Sequence, residues 1–173
     1  MDTVEQSKGA IRYRHILEDI NGLKDLGKDT VDCMKNGFGK LGLYDSAVIL
    51  NRYSHDLKCG DKKQVVSSLK TMAFEALMAI SWKENVSTLN VIMCQVDMYA
   101  LKNKRYGNSF SECFKRFGLL YSFGHIVEKV NRILSLLILD DDADDEPILD
   151  SYKDLLGYCV LTIMELTKDE VQD

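Results

Sequence analysis

A single proline, Pro147, stands in a chain of 173 residues. Strand-rich folds rely on turn punctuation, so its scarcity favours long helices. Cysteine pairs are missing as well. Cys33, Cys59, Cys94, Cys113 and Cys159 show no CxxC spacing and are odd in number, which sets aside a zinc site or a disulfide framework. The opening MDTVEQSKGAIRYR has no apolar stretch of the signal-peptide kind. The apolar run ILSLLIL is far too short to cross a bilayer. Cations are outnumbered, 22 Lys and Arg against 27 Asp and Glu, for a net charge of −5. A duplex nucleic-acid binder needs a basic surface, so that class recedes, whereas a small phosphorylated ligand needs only a few local cations. P-loop, GxGxxG and GxSxG motifs are absent. These absences fit a cytoplasmic protein in a reducing compartment, with no membrane partner.

What is present is a core. Hydrophobic residues make up 46% of the chain, enough for a real core and against global disorder, and the length suits one domain, or one domain with a helical extension. Ile11, Ile16, Leu17, Ile20 and Leu23 keep helical spacing over residues 4–26. The three glycines of NGFGKLGLYDSA mark a loop or broken helix, and residues 46–57 read as a second helix. Over 62–83 a wide stripe of Val65, Val66, Leu69, Met72, Ala73, Ala76, Leu77 and Ile80 predicts a strong helix. Asn85 and Ser87 offer N-caps for the next, ending near residue 104, with Leu89, Ile92, Met93, Val96 and Ala100 as its core face. A looser link through Phe110, Phe114 and Phe117 leads to a helix over 121–139, whose stripe is Ile126, Val127, Val130, Ile133, Leu134 and Leu137. The acidic run 140–146 reads as a solvated loop, because consecutive acids point apart and repel. Pro147 suits the first turn of a last helix over 148–168, with Leu155, Leu156, Cys159, Val160, Ile163 and Met164 facing the core. Cys94 and Cys159 fall in apolar runs and read as buried thiols. No segment alternates with a period of two, so the chain reads as all-α. Short links favour an antiparallel helical bundle.

Chemistry concentrates between residues 102 and 166. His125, Glu128 and Arg132, at i, i+3 and i+7, share a polar face. Asp150 and Asp154, at i and i+4, stack their carboxylates. Gly157 lies a turn further, where a helix or a ligand approaches closely. If the last two long helices pack antiparallel, Glu128, Asp150 and Asp154 converge as three hard oxygen ligands for Mg²⁺ or Mn²⁺. The plainer alternative is an ordinary solvated acidic face. Lys102 and Lys104 sit where cations meet a helix C-terminal dipole. Gly107 permits a left-handed turn that the Asn108 side chain can close. Tyr106 and Phe110 can stack on a base or belong to the core.

The order Lys102-Asn103, Tyr106-Gly107-Asn108-Ser109-Phe110, Phe117-Gly118, Lys129, Arg132, Asp150, Asp154 and Tyr158 resembles the nucleotide-modification-associated domain 1 family, common in phages. That family is placed with the all-α nucleoside triphosphate pyrophosphohydrolases, the MazG and dimeric dUTPase group. The resemblance covers about 65 residues, counted from Lys102 to Leu166. It implies a four-helix core in residues 85–168, an N-terminal helical region in 1–84 that joins the bundle or an oligomer face, and a tail in 169–173. It further implies Mg²⁺ (or Mn²⁺) held by Glu128, Asp150 and Asp154, which are also the catalytic residues. Lys102, Tyr106, Asn108, Lys129 and Arg132 bind the nucleotide, and the protein is a homo-oligomer. Arg105 stands where the family commonly has Asp, and His125 where it tends to have Arg. These departures keep a catalytically inactive nucleotide-binding sponge or sensor as the alternative to a hydrolase. A helical protein-interaction module is the third reading.

Overall fold

The computed structural model describes residues 2–23, 61–138 and 146–168. The expected loop at residues 36–47, the helix at 46–57, residues 140–145 of the acidic run and the tail lie outside them. The described chain is all-helical: α1 (Asp2–Gly22), α2 (Lys62–Glu84), α3 (Thr88–Tyr106), α4 (Ser109–Phe117), α5 (Leu119–Ile138) and α6 (Glu146–Leu166). No described helix is long and apolar enough to cross a membrane.

Local chemistry sets the helix ends. The Asp61 carboxylate accepts the Gln64 N–H at 2.8 Å and starts α2. Asn85, in the left-handed region at φ 52°, stops it. The Asn85 N–H reaches the Trp82 carbonyl and the Val86 N–H reaches the Ser81 carbonyl, each at 3.1 Å, so two terminal carbonyls are satisfied. Asn85 therefore ends α2 and does not cap α3. That role is Ser87's, whose Oγ accepts the Asn90 N–H at 3.2 Å.

Gly107 (φ 59°, ψ −145°) and Gly118 (φ 60°, ψ −150°) separate α3, α4 and α5 in backbone conformations that essentially only glycine adopts. The expected loose link is the helix α4. Phe110, Phe114 and Phe117 at i, i+4 and i+7 are one stripe of it. The Asn108 side chain makes no capping bond; its carbonyl accepts the Glu112 N–H at 3.0 Å. α4 buries none of its residues fully. It is tied to α6 by the Ser111 hydroxyl, which donates to Glu165 Oε1 at 2.5 Å, and Lys168 pairs with the same carboxylate.

Buried residues of α1, α2, α3, α5 and α6 form one cluster running from Tyr13 to Met164. At its centre α2 packs on α6, Leu69, Met72, Leu77 and Ile80 against Tyr152, Leu155, Leu156 and Val160. Ile126, Val130 and Ile133 of α5 cover the next side of α6. Paired residues give the directions. His125 stacks on Tyr158 and Lys129 meets Asp154, so α5 and α6 run antiparallel. Val66 shares a groove with Ile163 while Glu84 meets Lys153, so α2 and α6 do too.

The core face expected for α3 needs correcting. Its buried residues are Val91, Ile92 and Gln95, whereas Leu89 (59% exposed), Met93 (64%), Ala100 and Cys94 face outward. α3 packs chiefly on α1, through a stripe rotated from the most apolar one. Tyr99 of that stripe stacks on Tyr13 of α1 at 4.5 Å. The closeness is possible because Gly9 faces the Tyr99 hydroxyl, which would lie 2.8 Å from a Cβ added there. Cys159 is buried, as expected, and burial pushes its thiol pKa up.

Two glycine substitutions test this backbone in opposite directions. Gly107→Ala should cost about 1–3 kcal/mol, since alanine is strained at that φ and ψ. Gly124→Ala, in the middle of α5 with nothing within 4 Å of an added Cβ, should stabilise by up to about 1 kcal/mol. Urea unfolding of the two variants measures both.

Candidate functional site

Helix α3 offers a second face to a cleft of about 220 Å³ shared with α4 and α6. Gln95, Tyr99, Lys102 and Tyr106 recur at steps of four, three and four, one line along a helix. Lys153, Asp154, Gly157 and Tyr158 of α6 form the opposite wall, and Phe110 of α4 and Tyr121 of α5 close the side. The absence of a Cβ at Gly157 widens this wall, where the nearest side-chain atom to an added Cβ would be the Tyr13 hydroxyl at 3.8 Å.

The aromatic side is a connected set of rings. Phe110 lies 5.4 Å from Tyr121 and 6.3 Å from Tyr158 between centroids. His125 stacks on Tyr158 at 4.5 Å and 10°, and meets Tyr121 edge-on at 4.7 Å. Burial raises the Tyr158 pKa above the ordinary phenol value, and the carboxylates of Asp154 and Glu128 raise it further. Tyr158 therefore stays a neutral hydroxyl beside two acids.

The charged side is built on lysines. Lys129 Nζ, on a side chain only 12% exposed, lies 3.3 Å from Asp154 Oδ2 and 3.6 Å from Glu128 Oε1. Lys102 Nζ lies 3.7 Å from Asp154 Oδ1. Lys153 Nζ meets Glu84 Oε1 at 2.6 Å. Two of the three acids named from the sequence thus come together, from two helices, but across an ammonium group. Asp150 is exposed a turn earlier on α6 and makes no ion pair with a described residue. Among the described residues, no three His, Cys, Asp or Glu side chains are grouped to hold a metal ion.

Of the residues expected to bind nucleotide, Lys102 and Tyr106 line the cleft. Lys129 reaches it through Asp154. Arg132 is exposed on α5, and Asn108 is exposed at the start of α4. Neither borders the cleft. Gln95, Tyr99, Lys153 and Tyr121 were not anticipated. The signal for the first two was their spacing with Lys102 and Tyr106, which only the path of α3 turns into a wall. No protein-family model, curated protein or solved structure matches the chain.

The tyrosines carry a pH signature. Tyr13, Tyr99, Tyr121 and Tyr158 all have raised pKa values, with burial the first cause in each. Stability from this source is fully present below about pH 10, the ordinary phenol value. It is lost as pH rises through the higher folded-state values. Urea midpoints should fall above about pH 10, with tyrosinate absorbance growing in step with loss of helix. Full tyrosine ionisation in a chain that keeps its helices would contradict the burial of these rings.

Proposed function

We propose that the chain binds a nucleotide in this cleft, the base against the aromatic wall and the phosphates at the lysine end. One observation carries the reading: a single cleft pairs an aromatic side with Lys102 and Lys153, and Asp154 holds the buried Lys129 beside them. Aromatic faces take bases by stacking, and lysine is a compact point charge suited to phosphate. Asp154 tethers two ammonium groups, and Tyr158 beside it, its pKa raised first by burial, offers a neutral hydroxyl donor.

The resemblance adds metal-dependent hydrolysis of a nucleoside triphosphate as a second reading. It is favoured by Glu128 and Asp154 meeting around one cation from two helices. Lys129 lies between these two acids and Lys102 beside Asp154, so binding of an anionic ligand is the function the geometry supports best.

Titration calorimetry with nucleoside triphosphates and inorganic pyrophosphate, with and without Mg²⁺, tests both, provided the same samples are assayed for product. Lys102→Met should weaken binding by about 1.5–3 kcal/mol, the worth of a charge-assisted hydrogen bond. Asp154→Asn separates the readings. If the protein only binds, removing a carboxylate near the phosphates leaves affinity unchanged or raises it. If it hydrolyses, the same change abolishes Mg²⁺-dependent product. Absence of any nucleotide or pyrophosphate binding would overturn both.

A further inference from the structure

α3 and α4 end alike. Lys104-Arg105-Tyr106-Gly107 closes the first and Lys115-Arg116-Phe117-Gly118 the second: two cations, an aromatic ring and a glycine each time. The backbone repeats as well. Gly107 and Gly118 share one positive-φ conformation, and each N–H returns to the carbonyl four residues back, at 2.8 and 2.7 Å. The nine residues of α4 therefore stand between two copies of one ending. A helix C-terminal dipole favours Lys and Arg, and a glycine stop is ordinary. Neither accounts for the ring. Tyr106 is 67% exposed and Phe117 62%, each beside its two cations. Lys104, Arg105 and Arg116 are exposed and make no ion pair with a described residue. Glu112 is paired with Lys115 at 2.8 Å. It is the one acid between Asp97 and Glu128, against five Lys and Arg, in a chain whose net charge is −5. Cations thus gather around α4 while the rest of the chain is acidic.

Tyr106 also lines the cleft, so one of the two endings belongs to both surfaces. Resting on the nucleotide-binding reading above for this link, we propose that the two ends of α4 form one surface for single-stranded nucleic acid, continuous with the cleft. Each end offers a ring face for a base and two cations for the phosphates beside it. A duplex hides its base faces in its own stack, so exposed rings of this kind select an unpaired strand. By helix rise α4 sets its two ends roughly 14 Å apart, about four steps of a stacked strand at about 3.4 Å each. One nucleotide does not bridge them, whereas a short strand does. Stacking is blind to base identity, because every base has a π-face, so the surface binds without sequence preference. A lipid surface is the less suited anion. α4 turns its apolar stripe inward, Phe110 against Tyr121 and Tyr158, and keeps no apolar face to bury among acyl chains.

The experiment follows the anisotropy of a labelled thymidine oligonucleotide of about 12 residues, within the roughly 4–16 that single-strand sites cover, on the whole chain. Calorimetry with thymidine triphosphate and inorganic pyrophosphate runs alongside. The native protein should bind the oligonucleotide about tenfold or more tightly than the triphosphate, with an affinity that falls as salt rises. Phe117→Ala should weaken oligonucleotide binding about fivefold or more. Arg116→Ala should weaken it and reduce the slope of log affinity against log salt by about one. Both side chains are exposed and lie outside the cleft, so melting temperature and the affinities for triphosphate and pyrophosphate should stay as in the native protein. An oligonucleotide bound no more tightly than the triphosphate overturns the inference and leaves the nucleotide cleft standing. Unchanged oligonucleotide binding in both variants does the same. Phosphatidylserine vesicles bound in place of the oligonucleotide, and released by the same two variants, overturn it in favour of a membrane. Oligonucleotide binding that the variants lose, without any binding of triphosphate or pyrophosphate, upholds the strand surface and sinks the cleft reading. If the native protein binds none of these, both proposals fall.

Discussion

Everything in this bundle leans on α6. Tyr152, Leu155, Leu156, Cys159, Val160 and Ile163 are buried on it almost completely, and α2, α5, α1, α4 and α3 all touch it. Burying a large apolar side chain is worth about 1.5–3 kcal/mol, so the residues facing α2 and α5 fix this helix more firmly than any capping bond could. Its remaining positions, Asp154, Gly157, Tyr158 and Leu161, fall at i, i+3, i+4 and i+7 and line the cleft. One helix therefore supplies both the packed centre and a wall of the site. The cleft inherits its rigidity from the core, and the ring stack of His125 on Tyr158 extends that wall to α5.

Charge in the cleft is local and differs from that of the whole. The chain carries −5 overall, which opposes anions at long range. Screening shortens that effect to about 8 Å at physiological salt, so the groups within the cleft decide. There, Lys102 and Lys129 share the Asp154 carboxylate, and Lys153 is anchored by Glu84 at the end of α2. Glu128 pairs with Lys129 as well, so three ammonium groups meet three carboxylates around Asp154 and the cleft balances its charge locally. An incoming phosphate competes with Asp154 for lysines that are already positioned, and little side-chain entropy remains to be lost.

Most of the fold was legible because its signal is periodic. The α2 stripe from Val65 to Ile80 and the α6 stripe from Leu155 to Met164 are wide and apolar, and nearly all of their positions are buried. The all-α class followed from them. What was not legible had a competing pattern. On α3 the set Leu89, Ile92, Met93, Val96 and Ala100 is the most apolar face, yet α1 meets the stripe of Val91, Ile92, Gln95 and Tyr99. The choice was made by Gly9, which admits the Tyr99 hydroxyl, and a glycine on a partner helix does not appear in the periodicity of α3. α4 was hidden by its brevity: three phenylalanines at helical spacing between two glycines look like a link until the glycines are seen to be its ends.

The site was legible to the same partial degree, and for a related reason. Spacing puts Glu128 on one face of α5 and Asp154 on one face of α6, but not what lies between them. The next residue along α5 is Lys129, offset by only 100° around the helix, and it occupies the gap. Three acids at regular intervals are visible in sequence, whereas the position of Lys129 between Glu128 and Asp154, with Asp150 exposed, is visible only in three dimensions. The converse holds for Gln95. A lone carboxamide in an apolar line is easily passed over as tolerated polarity, because the sequence does not show which line is buried. Once Val91, Ile92 and Tyr99 are known to face inward, Gln95 is seen to lie on that buried line where it borders the cleft.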